Sequence, residues 1–111
     1  MFYRVSNGGS DLPNPLIIPL TAGAEALGVT FLHIPYSIYS KYKYIRYTAT
    51  SYSVPSVKQF GYTNSVSQSM PSSKWSLSTA NQSITGTLAY MIITIQATNW
   101  NGVGLNLVFS N

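Results

Sequence analysis

The most regular pattern of apolar and polar positions lies near the C-terminal end of the sequence. From Thr87 to Thr98 the residues Ala89, Met91, Ile93, Ile95 and Ala97 occupy every second position. After Asn99-Trp-Asn-Gly102, Val103, Leu105, Leu107 and Phe109 alternate with Gly104, Asn106, Val108 and Ser110. A period of two places such residues on one face of an extended strand. An Asn/Gly-rich break between two such runs reads as a turn, so this end predicts a long β-hairpin with one buried face.

The same signal recurs upstream. Phe2 to Val5 predicts a first strand ended by Asn7-Gly8-Gly9-Ser10, residues that favour turns. Pro13, Pro15 and Pro19 then remove ladder donors, which predicts an extended run over residues 11–20, laid on a surface or along a sheet edge. Thr21 to Gly28 holds a cap residue, an Ala-rich body and a glycine stop, and reads equally as two helical turns or a loop. Val29 to Ile34 and Tyr42 to Ser53 are rich in β-branched and aromatic residues and predict strands, punctuated by Pro35 and Pro55. Within the Ser-rich stretch 55–83, weaker strand signals occur near Val57–Tyr62 and Trp75–Ser78. Many short strands, almost no helix, no βαβ spacing and no internal repeat predict a single all-β domain over residues 1–111. Its expected architecture is an antiparallel β-sandwich, jelly-roll-like or a barrel-like variant.

Composition narrows what such a domain would do. A chain of 111 residues buries roughly two thirds of the surface its unfolded form exposes, enough for a core without staples. With Cys 0, disulfide scaffolds, thiolate metal sites and cysteine nucleophiles are excluded. Charged residues make up 7% of the chain against about 25% in ordinary soluble domains, the difference being filled by Ser, Thr, Asn, Gln and Tyr. Disorder is not expected, because 45% hydrophobic and 14% aromatic residues supply apolar area to offset chain entropy. The net charge of +4 comes from scarce acids more than from a basic face, so nucleic acid is a weak expectation. The short apolar run 16–20, interrupted by Pro19, does not make a signal peptide. Leu88 to Ile95 falls far short of the roughly 20 residues that span a bilayer.

One stretch concentrates candidate binding chemistry: Tyr36-Ser-Ile-Tyr-Ser-Lys-Tyr-Lys-Tyr-Ile-Arg-Tyr47, with five tyrosines and three cations. On a strand, Tyr42 and Tyr44 would share a face with Arg46, and Lys41, Lys43, Ile45 and Tyr47 would take the other. Aromatics interleaved with cations suit a neighbouring subunit, a sugar ring or the bases and phosphates of a single strand. They also suit a tyrosine-rich strand whose lysines guard its edge against aggregation. The candidate binding residues are therefore Tyr36, Tyr39, Lys41, Tyr42, Lys43, Tyr44, Arg46 and Tyr47, joined by Trp75 and Trp100. Trp100 falls at the predicted hairpin tip, and Trp75 follows the turn-like Met70-Pro-Ser-Ser73 and reads as a core or rim residue.

Catalysis is not expected. Asp11, Glu25 and His33 are the whole set of acids and histidines, and nothing in their spacing brings them together. His33 alternates with Phe31 and Val29, which predicts a satisfied, partly buried histidine. Ser40-Lys-Tyr-Lys43 matches S-x-x-K without its companion elements, and Asn81-Gln-Ser83 matches a glycosylation sequon of the kind that arises by chance. No cofactor motif or metal-ligand spacing occurs.

The opening Met-Phe-Tyr-Arg-Val-Ser-Asn-Gly-Gly-Ser, with the low charge and the Ser/Thr/Asn/Tyr-rich strands, resembles small virion-associated proteins of tailed bacteriophages and prophages. That resemblance implies a head-decoration, tail or fibre-associated β-domain located in the virion, and it carries over no functional residue. The expected role is a non-enzymatic structural or attachment protein, homo-oligomeric and trimeric or larger, with segment 11–20 docking on a neighbour. Its expected partners are itself, other virion proteins and a host-surface glycan, with no membrane and no cofactor. The alternatives are a carbohydrate-binding module using Tyr and Trp faces, then a single-stranded nucleic acid binder.

Overall fold

The structure, a computed structural model, describes residues 2–4, 12–21, 28–49, 57–66, 70–97 and 104–111. In chain order the elements are β1 (Phe2–Arg4), β2 (Leu16–Thr21), β3 (Gly28–Pro35), α1 (Tyr36–Tyr39), β4 (Tyr44–Ala49), β5 (Val57–Thr63), β6 (Lys74–Ser76), β7 (Gln82–Ser83), β8 (Tyr90–Ala97) and β9 (Gly104–Ser110). They form two sheets, ordered β1-β3-β8-β5-β6 and β2-β9-β4-β7. All pairings are antiparallel except that of β1 with β3. The expected all-β antiparallel sandwich is what forms.

The pairing is nested: β5 with β6, β4 with β7, β3 with β8, and β2 with β9. A chain doubled back between β5 and β6 and then rolled up gives this order, so the sandwich is jelly-roll-like. The nesting also overturns the predicted C-terminal hairpin. Both strands exist, but β8 pairs with β3 and β5, while β9 pairs with β2 and β4 in the other sheet. Alternation identifies which side of a strand is buried and leaves its partner open. The predicted turn 99–102 and Trp100 lie outside the described residues, as do Asp11 and Glu25.

The core fills the space between the sheets. Met91, Ile93 and Ile95 of β8, with Leu32 and Ile34 of β3 and Phe60 of β5, face Ile45 of β4 and Leu105, Leu107 and Phe109 of β9. The alternation seen in the sequence thus marks the inner face. Central strands are covered on the other side too. His33, Ile92 and Thr94 are buried on the outer surface of their sheet, and the ring of Tyr90 meets His33 edge-on at 6.0 Å. Gly61, opposite Ile92, allows this cover. A Cβ there would come within 2.9 Å of the Ser73 carbonyl oxygen and 3.0 Å of Pro71, closer than a packed backbone tolerates.

The proline-punctuated segment runs along a sheet edge as expected: Leu16–Thr21 is an edge strand, which suits Pro19. It is also anchored to the body of its own molecule. Leu12 and Leu16 pack against the core, and the Tyr42 hydroxyl donates to the Pro13 carbonyl at 2.5 Å. Thr21 and Gly28 are strand residues, and residues 22–27 between them, which the sequence reads equally as helical turns or a loop, lie outside the described residues.

Ile45→Ala, which empties a fully buried site, is expected to cost about 3 kcal/mol. Ile17→Ala, at an exposed position of the same sheet, is expected to change stability by less than about 0.5 kcal/mol. Urea denaturation followed by circular dichroism measures both.

Candidate functional site

The tyrosine stretch does not form one surface. Pro35 closes β3, and the chain then makes the single helical turn α1 instead of continuing as a strand, with bonds from Ser40 N to Tyr36 O (3.0 Å) and Lys41 N to Ile38 O (3.1 Å). Tyr39 and Tyr42 point inward and are buried, so neither offers a face to a ligand. Tyr42 packs on Phe109 at 5.9 Å. In β4, Ile45 is buried and Tyr47 packs against the core beneath Lys58, whose ammonium lies 5.5 Å from the ring centroid. Tyr44 and Arg46 alternate with them and are half-buried, while Tyr36, Lys41 and Lys43 are exposed. Burial of alternate rings therefore divides the candidate set into core and surface members.

The tyrosines lead elsewhere. Tyr36 meets Tyr39 edge-on at 5.3 Å, Tyr39 contacts Tyr62 at 5.5 Å, and Tyr62 contacts both Phe60 at 6.3 Å and Trp75 at 5.8 Å. Phe60 stacks on Trp75 at 5.7 Å with an interplanar angle of 29°. This chain of rings runs through the body to the side where the margins β6 and β7 of the two sheets meet. There Trp75 remains 46% exposed and borders a cleft of two lobes, of about 280 and about 200 Å³. One lobe is lined by Tyr62, Ser73, Trp75, Thr85, Gly86, Thr87 and Leu88. The other is lined by Phe60, Tyr62, Trp75, Gln82, Ser83 and Thr85. Of the described candidate residues, Trp75 alone lines this cleft.

No protein-family model, curated protein or solved structure matches the chain.

The walls are held by directed contacts. The Thr85 N–H donates to the Tyr62 hydroxyl at 3.0 Å. Gly86 lies so close over the Tyr62 ring that a Cβ there would fall 2.0 Å from Cδ1. Tyr39 donates its hydroxyl to the Leu88 carbonyl at 2.5 Å, and Asn64 Oδ1 accepts the Ala89 N–H at 2.9 Å. Across the cleft, the Gln82 side chain accepts from Ser78 N at 3.1 Å and donates to Ser76 O at 2.6 Å. Gln82 so ties the strand margins together: Ser78 O in turn accepts the Tyr47 N–H at 3.0 Å. The buried Tyr39 is a positioning residue for the cleft wall.

None of the lining residues carries a formal charge at neutral pH. The cleft offers aromatic surface, hydroxyls and peptide groups, the means of recognition and not of acid–base chemistry. Among the described residues no group of three His, Cys, Asp or Glu converges. Tyr62, Thr85 and Gly86 carried no warning as site residues. Gly61 between Phe60 and Tyr62 was the one local cue, since a glycine inside a strand marks close approach of another backbone.

Burial, followed by the neighbouring Tyr62 and Tyr36 phenols, pushes the Tyr39 pKa from 10.0 up to about 12. Between those values the unfolded chain releases a proton that the folded chain keeps, so stability is full below pH 10 and falls as pH rises towards 12. Tyr39→Phe is expected to flatten that fall and to cost about 1 kcal/mol at neutral pH, read from urea denaturation across the alkaline range. Gly86→Ala forces the wall off the Tyr62 ring and is expected to cost about 2 kcal/mol, with shifted amide resonances at residues 85–87.

Proposed function

We propose that this chain is a non-enzymatic structural or attachment protein of a virus particle. It works through contacts with other copies of itself, with other virion proteins and with a receptor. The observation that carries this reading is the kind of surface the sandwich presents. Ile17 is 53% exposed on β2, the edge strand of its sheet among the described residues, beside the exposed Pro19, and Tyr36, Val66, Trp75 and Leu88 also expose large apolar groups. Only eight residues of the chain are Lys, Arg, Asp or Glu, the six cations plus two acids. Apolar groups gain by shedding water and neutral polar groups lose less than charged ones, and weak mutual repulsion favours packing of identical copies. The resemblance of the first ten residues to phage virion proteins supports the setting.

A second reading, a carbohydrate-binding module, is favoured by the Trp75 cleft. The two are compatible, since an attachment protein needs both a scaffold contact and a ligand.

Light scattering coupled to size-exclusion chromatography is expected to give a trimer or larger, stable at low and high salt because apolar contacts are not screened. Ile17→Lys is expected to lower that mass while leaving the circular dichroism spectrum unchanged. A wild-type monomer at both salts would sink the assembly reading.

A further inference from the structure

We propose that the cleft around Trp75 binds an uncharged saccharide, with a pyranose ring resting on the indole and its hydroxyls satisfied by the Ser/Thr rim. The inference deepens the attachment reading by giving it a receptor class, and rests on that reading only for its biological setting.

Size sets the first limit. The larger lobe, about 280 Å³, falls at the lower edge of the roughly 300–1,000 Å³ that hold drug-sized ligands. Each lobe suits one ring. The lobes share Tyr62, Trp75 and Thr85, so a disaccharide would place its two rings around the same tryptophan.

Chemistry sets the second. Sugars present C–H faces that are apolar and weakly positive, and these match the negative face of an indole. Phe60 and Tyr62 already hold that indole in place, so binding costs little side-chain entropy. Around it, Ser73, Ser83, Thr85 and Thr87 supply hydroxyls, each able to donate and to accept as sugar hydroxyls require.

Charge sets the third. A phosphate, carboxylate or ammonium entering the cleft would lose water and meet no counter-charge in the lining, a penalty a neutral ring escapes. This disfavours a single-stranded nucleic acid in the cleft itself, because Lys41, Lys43 and Arg46 do not line it.

The test follows the Trp75 indole N–H and the amides of residues 85–87 in ¹H–¹⁵N spectra of the full chain. The probes are glucose, galactose, N-acetylglucosamine, lactose and chitobiose, with glucuronate, glucosamine and oligothymidylate as charged comparators. A saturable shift of these signals with at least one neutral sugar is expected, together with affinity at least tenfold weaker for the charged comparators. Trp75→Ala should weaken binding tenfold or more. Thr87→Lys, which places a cation on the exposed rim without touching the rings, should do the same and covers the case in which Trp75→Ala does not fold. The inference is overturned if no neutral sugar gives a saturable shift, if Thr87→Lys binds as well as the wild type, or if a charged comparator binds as tightly as the best neutral sugar. A multimer with no sugar response removes this inference and leaves assembly standing. A monomer that binds sugar keeps the inference and removes assembly.

Discussion

Burial of two facing rows of branched and aromatic side chains is the constraint on which the rest of this molecule depends. The chain has no cysteine and few charges, so neither cross-links nor a dense ion-pair network hold the sheets together. Stability falls to rows such as Met91-Ile93-Ile95 on one side and Leu105-Leu107-Phe109 on the other. At roughly 25 cal/mol per Å² of apolar surface removed from water, each fully buried aliphatic side chain contributes about 2 kcal/mol before entropy is charged. Such a core needs no particular connection between consecutive strands, only that each inward row finds a facing row. Nested pairing satisfies this by placing consecutive strands β8 and β9 in opposite sheets.

That freedom explains what could be read beforehand. Strand positions are local: β-branched and aromatic runs bounded by Gly, Pro and Asn mark β3, β5, β8 and β9 to within a few residues, and alternation marks their inner faces. Strand partners are not local. The Asn/Gly break after β8 is as compatible with a crossing between sheets as with a tight hairpin, because both need a chain reversal. The tyrosine stretch misled for a related reason. Its residues have strand propensity throughout, yet Pro35 ends one strand and the chain must turn before it can enter the other sheet, so Tyr36–Tyr39 coil once and bury Tyr39.

The cleft was the least legible feature because no part of it is contiguous. Tyr62, Trp75, Gln82 and Thr85 come from one strand, a second short strand, a third and a connecting segment. Nested pairing brings them to the same margin. Within the Ser-rich half only the aromatic residues and Gly61 carried information, and Trp75 read as a core or rim residue without any hint of what lay opposite. The sequence reads Tyr39 as a surface residue, and its role is interior. Its hydroxyl fixes Leu88, and its ring passes support to Tyr62, so part of the site's rigidity comes from residues that a ligand never touches.

The margin where the cleft lies also bears on how copies would associate. Free strand edges invite pairing with another chain, and proteins blunt them with short strands, charges or cover. Here β6 is three residues long and begins with the exposed Lys74, β7 is two residues long, and the Gln82 side chain occupies the Ser76 carbonyl between them. Little backbone remains at that margin for strand addition. The opposite margin, β2, is longer and carries Pro19, which also withholds a donor. Contacts between copies would therefore run through side chains such as Ile17 instead of a shared sheet. In the proposed reading, assembly through Ile17 and recognition at Trp75 would use opposite margins and would not compete for the same surface.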